Sequence, residues 1–264
     1  MVLGLDTATA ATAAALRLAD GTVLERRDDP PPGAHPGHAT RLLAMIAELL
    51  LDAGSSWQEI GRIAVGVGPG TFTGLRVGVA TARGLAHSRG IELVGVSSLQ
   101  ALALGALEGP PGEYAGVPPE VALAVIDARR AEVFAAAYEP GPAGVPRQLT
   151  APAALVPEQL PALVAGTRGV GTREAGTREV GEHEGVAQEA EQGAGRWLLV
   201  GDGAVRYRAL LTGAGLEVAE EGSRVHLVAA AAICELGAAA RRGAGGTLPE
   251  YVRRPDAELA LEGA

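Results

Sequence analysis

The residues of this chain whose types could do chemistry gather near its N-terminal end. Asp6 and Thr7 close the apolar run VLGLDTA, and Gly68, Gly70 and Thr71 stand in GVGPGTFTG. A carboxylate and a hydroxyl at a strand end can touch a nucleotide-bound metal or a phosphate, and a glycine-rich loop ahead of a helix offers backbone N–H groups to an anion. The same residues serve equally as turn formers. GVGPGTFTG lacks the lysine of a Walker loop and does not have the dinucleotide spacing. His38 raises metal chemistry, but a helical histidine pair needs its second member one turn later, and that position is Leu42. A capping or packing role is therefore expected of His38. His87, His183 and His226 have no ligand spacing, no serine sits in a G-x-S-x-G elbow, and Cys234 falls in an alanine-rich run that reads as core. The residues assign no catalytic group and no metal ligand.

Composition narrows the chemistry further. All basic side chains are arginine, so a P-loop lysine and a Schiff-base lysine are excluded. The formal charge of -9 disfavours unaided binding to nucleic acid or an anionic membrane. One cysteine makes no internal disulfide, and a cytoplasmic setting is expected. Asp6 interrupts the apolar start, no basic region precedes it, and no apolar run is long enough to span a bilayer.

The elements that must position these residues are legible in the hydrophobic pattern. Three short strands open the chain, with a turn at Asp20-Gly21. A helix is expected over 39–53, a strand in GRIAVGVG, a helix over 71–89 with Thr71 as N-cap, a strand in IELVGV, and a helix from Ser97 to about Leu107. This order is an α/β lobe over 1–108. The Pro/Gly-rich EGPPGEYAGVPPE marks a boundary, and 109–264 is expected to form a second, smaller lobe. In that lobe VALAVIDARRAEVFAAAYEP reads as two strands around a polar turn and WLLVGDGAV as a strand entering a helix. VHLVAAAAICELGAAARRG reads as a long C-terminal helix placed to pack back on the first lobe. Residues 166–195, with the repeated GTR triplet and few bulky apolar groups, are expected to be a disordered insertion.

Both early helices carry more smooth or apolar surface than one buried face requires. Gly74, Gly78 and Ala82 recur every fourth residue and form a stripe on which another backbone can approach closely, while Phe72 and Leu75 point elsewhere. Leu42, Leu43, Ile46 and Leu50 belong to a wide apolar arc on the preceding helix. A partner chain or a homodimer is one reading, and packing on the chain's own sheet is the other.

Taken together, LGLDTATAATAAAL, the H-A-x-R-L-L run at 38–43, GVGPGTFTGLRVGVATARGLA, VSSLQALA, VIDARRAEVF and PEYVRR resemble the TsaB (YeaZ) family over most of the chain outside 166–195. The resemblance implies a two-lobed actin/Hsp70/sugar-kinase-like fold with ribonuclease H-like lobes. It implies a non-catalytic partner that binds and activates the transferase TsaD, with the ATPase TsaE, in forming the threonylcarbamoyl group on adenosine 37 of tRNAs that read ANN codons. In that family the two N-terminal helices make the TsaD and homodimer contacts. The expected interface here is therefore His38, Leu42, Leu43, Ile46, Leu50, Phe72, Gly74, Leu75, Gly78 and Ala82. ATP or ADP is expected only at the complex interface, and tRNA only through the complex. The alternative is an enzyme of the same fold, an ATP-dependent small-molecule kinase or a metallopeptidase.

Overall fold

The computed structural model describes residues 1–31, 34–109, 117–174, 195–241 and 248–252. Its first sheet contains β1 (Val2–Asp6), β2 (Thr12–Arg17), β3 (Val23–Asp28), β4 (Arg62–Gly68) and β5 (Glu92–Ser97), in the order β3-β2-β1-β4-β5. β1 runs antiparallel to β2 and parallel to β4. A second sheet repeats this plan. β6 (Val121–Arg129) runs antiparallel to β7 (Glu132–Glu139) and parallel to β10 (Trp197–Val200). Two short strands that the hydrophobic pattern does not mark, β8 (Arg147–Gln148) and β9 (Ala153–Leu155), both pair with β7.

Strand periodicity distributes the core into layers. Leu3, Leu5, Ala14, Leu16, Ile63 and Val65 point to one face of the first sheet, where α1 (His38–Asp52) and α2 (Phe72–Arg89) cover them. On the opposite face lie α3 (Ser98–Glu108) and α7 (Ala230–Ala239). α3 also covers the inner face of the second sheet, with Ala122, Ala124, Ile126, Phe134 and Ala136 in the same core as Ile233 and Leu236 of α7. The outer face of that sheet, with Leu123, Val125, Val133 and Ala135, is covered by α4 (Leu160–Glu174), α5 (Asp202–Arg206) and α6 (Arg208–Gly213). Helix, sheet, helix, sheet and helix therefore stack in sequence.

The central helices cross the expected lobe boundary. α3 closes the 1–108 segment but packs on β6, whereas α7 from the second segment packs on β1, β2 and β4. Gly4 makes the latter contact possible, because a Cβ there would lie 2.6 Å from the Ala230 carbonyl oxygen and 2.7 Å from Cys234 Sγ. Burial in this contact pushes the Cys234 thiol up to about 12. Arg62, at the start of β4, donates to the carbonyl oxygens of Gly237 at 2.7 Å and Ala240 at 2.9 Å, and pairs with Glu92 at 2.9 Å. It supplies donors to helix-end carbonyls that have no intrahelical partner.

Two expectations need correction. α7 begins at Ala230; the preceding residues 224–226 form a separate 3-10 turn, opened by Ser223, whose Oγ accepts from Val225 N at 3.1 Å. The expected disordered insertion is helical over its opening part, because α4 continues through Glu174. Residues 175–194, the remainder of that stretch up to its last residue, lie outside the described residues.

Candidate partner-binding surface and the residues beneath it

The glycine-rich loop turns inward. Asp6, 2% exposed, accepts from Ala8 N at 3.0 Å and from the Ser98 hydroxyl at 2.9 Å. Burial pushes its carboxyl up to about 6, against the lowering effect of those two hydrogen bonds. Thr7 donates its hydroxyl hydrogen to the Gly74 carbonyl at 2.8 Å, and Thr71 N donates to the Ala8 carbonyl at 2.7 Å. Gly70 lies so close to Ala8 that an added Cβ would overlap its carbonyl, and Gly68 has the left-handed φ of 115°. Asp6, Thr7 and Thr71 thus bond to Ser98 and to neighbouring backbone, at the strand end where a nucleotide contact is expected of them together with Gly68 and Gly70. Thr71 does precede α2 as its N-cap residue, but its hydroxyl makes no capping hydrogen bond.

The stripe on α2 also turns inward. A Cβ on Gly74 would fall far inside van der Waals contact with the Thr7 carbonyl oxygen, and one on Gly78 would do the same with Thr7 Oγ1. Gly74, Gly78 and Ala82 are buried, with Ala82 and Val79 packed on the first sheet. The small residues therefore let α2 approach the end of β1, not a partner helix. Gly84 is the exception: it is exposed, with open space where its Cβ would be.

His38 opens α1 and lies against the first turn of α2 at Gly74. Its Nδ1 shares a 2.9 Å hydrogen bond with Thr12 Oγ1, while Nε2 has no hydrogen-bond partner among the described residues. Burial holds its pKa below the ordinary histidine value, against the pull of Asp28. It is buried against the first sheet, and α1 opens without a side-chain cap hydrogen bond. Leu42, one turn on, is buried among Leu3, Leu5 and Ile46.

Of the residues expected at an interface, only Leu43 (54% exposed) and Phe72 (40%) reach solvent. His38, Leu42, Ile46, Leu50, Gly74, Leu75, Gly78 and Ala82 are buried in the chain's own first lobe, which corrects their assignment as contact residues. The pattern could not separate inner from outer because α1 is apolar on both sides. Leu51, 81% exposed and lying beyond the expected set, continues the outer strip with Leu43. On α2 the exposed Phe72 and Gly84 flank an exposed Ala80. Phe72 stacks under the Arg76 guanidinium and lies 5.5 Å, centroid to centroid, from Tyr251 of the 248–252 segment.

Residue spacing gave no sign of a second cluster at the corner between β6 and β7. Asp127, 8% exposed, stands in β6 where Asp6 stands in β1, next to the hairpin turn. Its Oδ1 accepts from Arg129 N at 3.0 Å, its own N–H donates to Asp202 Oδ1 at 2.9 Å, and its Oδ2 pairs with Arg129 and Arg206. Behind Asp202, Gly201 N donates to the buried His226 Nδ1 at 3.0 Å. His226 must then carry its proton on Nε2, which lies 3.0 Å from the Ala219 carbonyl and 2.9 Å from that of Glu220. The signal that could have located the cluster is the repeated plan of the two sheets. It places VIDAR opposite VLGLD and VGDG opposite VGVGPG.

Two lobes of this strand plan, stacked around shared helices, define a protein of the actin/Hsp70/sugar-kinase class. Residues 30–162 match the family model described as TsaD: tRNA N6-adenosine threonylcarbamoyltransferase. The structure resembles the solved structure of YeaZ from Pseudomonas aeruginosa at TM-score 0.66 and 27% identity, covering 95% of this chain and 98% of that one. The Escherichia coli tRNA threonylcarbamoyladenosine biosynthesis protein TsaB is 36% identical over 60% of this chain and 63% of its own length. The Haemophilus influenzae protein of the same name is 38% identical over 37% of this chain and 38% of its own length. The chain belongs to the TsaD-type family, in its TsaB (YeaZ) branch. The matches span less than two thirds of the length of these two relatives.

Proposed function

We propose that this chain is a non-catalytic partner that binds and activates a TsaD-type transferase in forming threonylcarbamoyladenosine at position 37 of tRNAs reading ANN codons. The likeness to proteins named for threonylcarbamoyladenosine biosynthesis carries the reading. The outer strip of α1 and α2 supports the docking part of it. Leu43 and Leu51 project from a helix whose remaining large apolar groups are buried, and Ala80 and Gly84 give the adjoining α2 a low exposed surface. Such a strip suits a helix pair from another chain, either the transferase or a second copy. Non-catalytic status is supported by the state of His38, which is bonded to Thr12 with Leu42 where a second ligand would stand. In this reading TsaE joins the assembly, tRNA binds through the complex, and ATP or ADP lies at the interface with the partner. Among the described residues no helix is long and apolar enough to cross a membrane.

Copurification of the chain with the TsaD-type protein of the same organism tests the proposal. A stable complex that modifies tRNA, with neither protein active alone, is the expected result. Modification by this chain alone, or by the transferase alone at the full rate, overturns it.

A further inference from the structure

The turn between β6 and β7 is built without glycine, although its backbone favours glycine. Arg129, Arg130 and Ala131 are left-handed in succession, with φ of 62°, 54° and 58°. The corner gathers Arg129, Arg130 and Arg206 beside the carboxylates of Asp127, Glu132 and Asp202, on a chain of formal charge -9. One buried oxygen, Asp127 Oδ2, lies 3.4 Å from Arg129 Nη1 and 3.2 Å from Arg206 Nη1, holding guanidinium groups from the turn and from α5 side by side. The two arginine side chains are nonetheless 59% and 52% exposed.

We propose that Arg129 and Arg206 form a contact for the phosphodiester backbone of tRNA, engaged when the chain is bound to its transferase partner; this rests on the function proposed above. Each planar guanidinium has five N–H donors, so pairing with Asp127 leaves donors for a phosphate oxygen. Asp127 is itself fixed by Arg129 N and by the bond to Asp202, which fixes the position of the pair before any ligand arrives. None of the exposed large apolar side chains among the described residues belongs to 127–132 or 202–208. A protein interface would need such a residue at its centre, whereas a nucleic-acid contact is polar and cationic.

The test uses the copurified complex and an unmodified transcript of an ANN-reading tRNA, with affinity measured by fluorescence anisotropy across a salt series. Arg129→Gly removes one cation while suiting the left-handed backbone, and Arg206→Ala removes the other. Each is expected to weaken binding about three- to tenfold near physiological salt. Together they should lower the slope of log affinity against log salt by roughly 0.7 to 0.9 per lost contact. Arg206→Lys should keep most of that slope, and Arg147→Ala, at an exposed arginine of β8, should change neither quantity. A double variant that melts normally, binds the transferase and keeps both affinity and slope overturns the inference, leaving the corner purely structural. Loss of transferase binding with RNA binding intact overturns it too, by making the corner a protein contact. If the parent chain forms no complex at all, the earlier reading fails and takes this one with it.

Discussion

The Thr7 hydroxyl donates to the carbonyl oxygen of Gly74 at 2.8 Å, and this bond ties the end of β1 to the first turn of α2. The helix contains glycine where Thr7 stands against it. Gly74→Ala and Gly78→Ala should each lower stability by about 1–3 kcal/mol, the usual cost of overpacking, despite alanine's better helix propensity. Gly84→Ala, whose Cβ enters open space, should instead raise it by up to about 1 kcal/mol. Urea unfolding of the three variants measures both signs.

Asp6 makes the first lobe sensitive to pH in a particular direction. With its folded pKa near 6 against an ordinary 3.8, the native state holds more protons between those values, so this group's contribution to stability falls as pH rises through that window. Asp6→Asn keeps an acceptor for Ala8 N and gains an amide donor for Ser98. It should be more stable than the parent at pH 7.5, by up to roughly 3 kcal/mol, and equal to it below pH 4. Denaturation at several pH values, with no divergence between the two proteins, would refute the buried-carboxylate account.

His38 and His226 act in the opposite sense. Burial lowers both pKa values, so the unfolded chain binds protons more readily than the native one below the ordinary histidine value of 6.5. Their contribution is complete above that value and is lost as pH falls through the folded pKa values. For His226 the added proton would fall on Nδ1, the acceptor of Gly201 N–H. Proton–carbon resonances of the two rings, followed by NMR between pH 4 and 8, should titrate below 6.5.

The outer strip can be tested without touching the core. Leu43→Asp with Leu51→Asp should weaken binding to the transferase, or self-association, at least tenfold and leave the melting temperature within about 2 °C of the parent, because both side chains are exposed. Leu42→Ala should do the reverse, costing about 2–5 kcal/mol of stability. Calorimetry and a binding assay on the same preparations distinguish the two positions.

Arg62 joins the last helix to the first sheet. Arg62→Met keeps much of the side chain's apolar length but removes the donor to the Gly237 and Ala240 carbonyls and the pairing with Glu92. A loss of about 2–3 kcal/mol is expected from equilibrium unfolding.

Local pattern was enough for the chief elements of both lobes. Alternating VLGLD, the helix that ends near Gly54 and the glycine-rich entry to α2 each appear in the structure within a residue or two of their expected places. Short-range signals failed where the decisive contact is long-range. β8 and β9 are too short to show a period and exist because β7 offers an edge, and the start of α7 is fixed by Glu25 of β3, whose carboxylate accepts from Ala230 N and Ala231 N.

The candidate site divides on the same physical ground. The sequence by itself determined the types present: no lysine, a histidine without its helical partner, glycine every fourth residue, and leucine on both sides of α1. Which way those residues face was decided by tertiary structure alone. A glycine stripe is equally suited to a partner's backbone and to the chain's own, and only the position of Thr7 against Gly74 and Gly78 assigns it to the latter. Likewise Arg206 is far along the chain from Asp127 and Arg129 and shares no period with them. They meet because β6 and β10 run parallel and bring the β6–β7 turn beside α5, where a single buried carboxylate holds both guanidiniums.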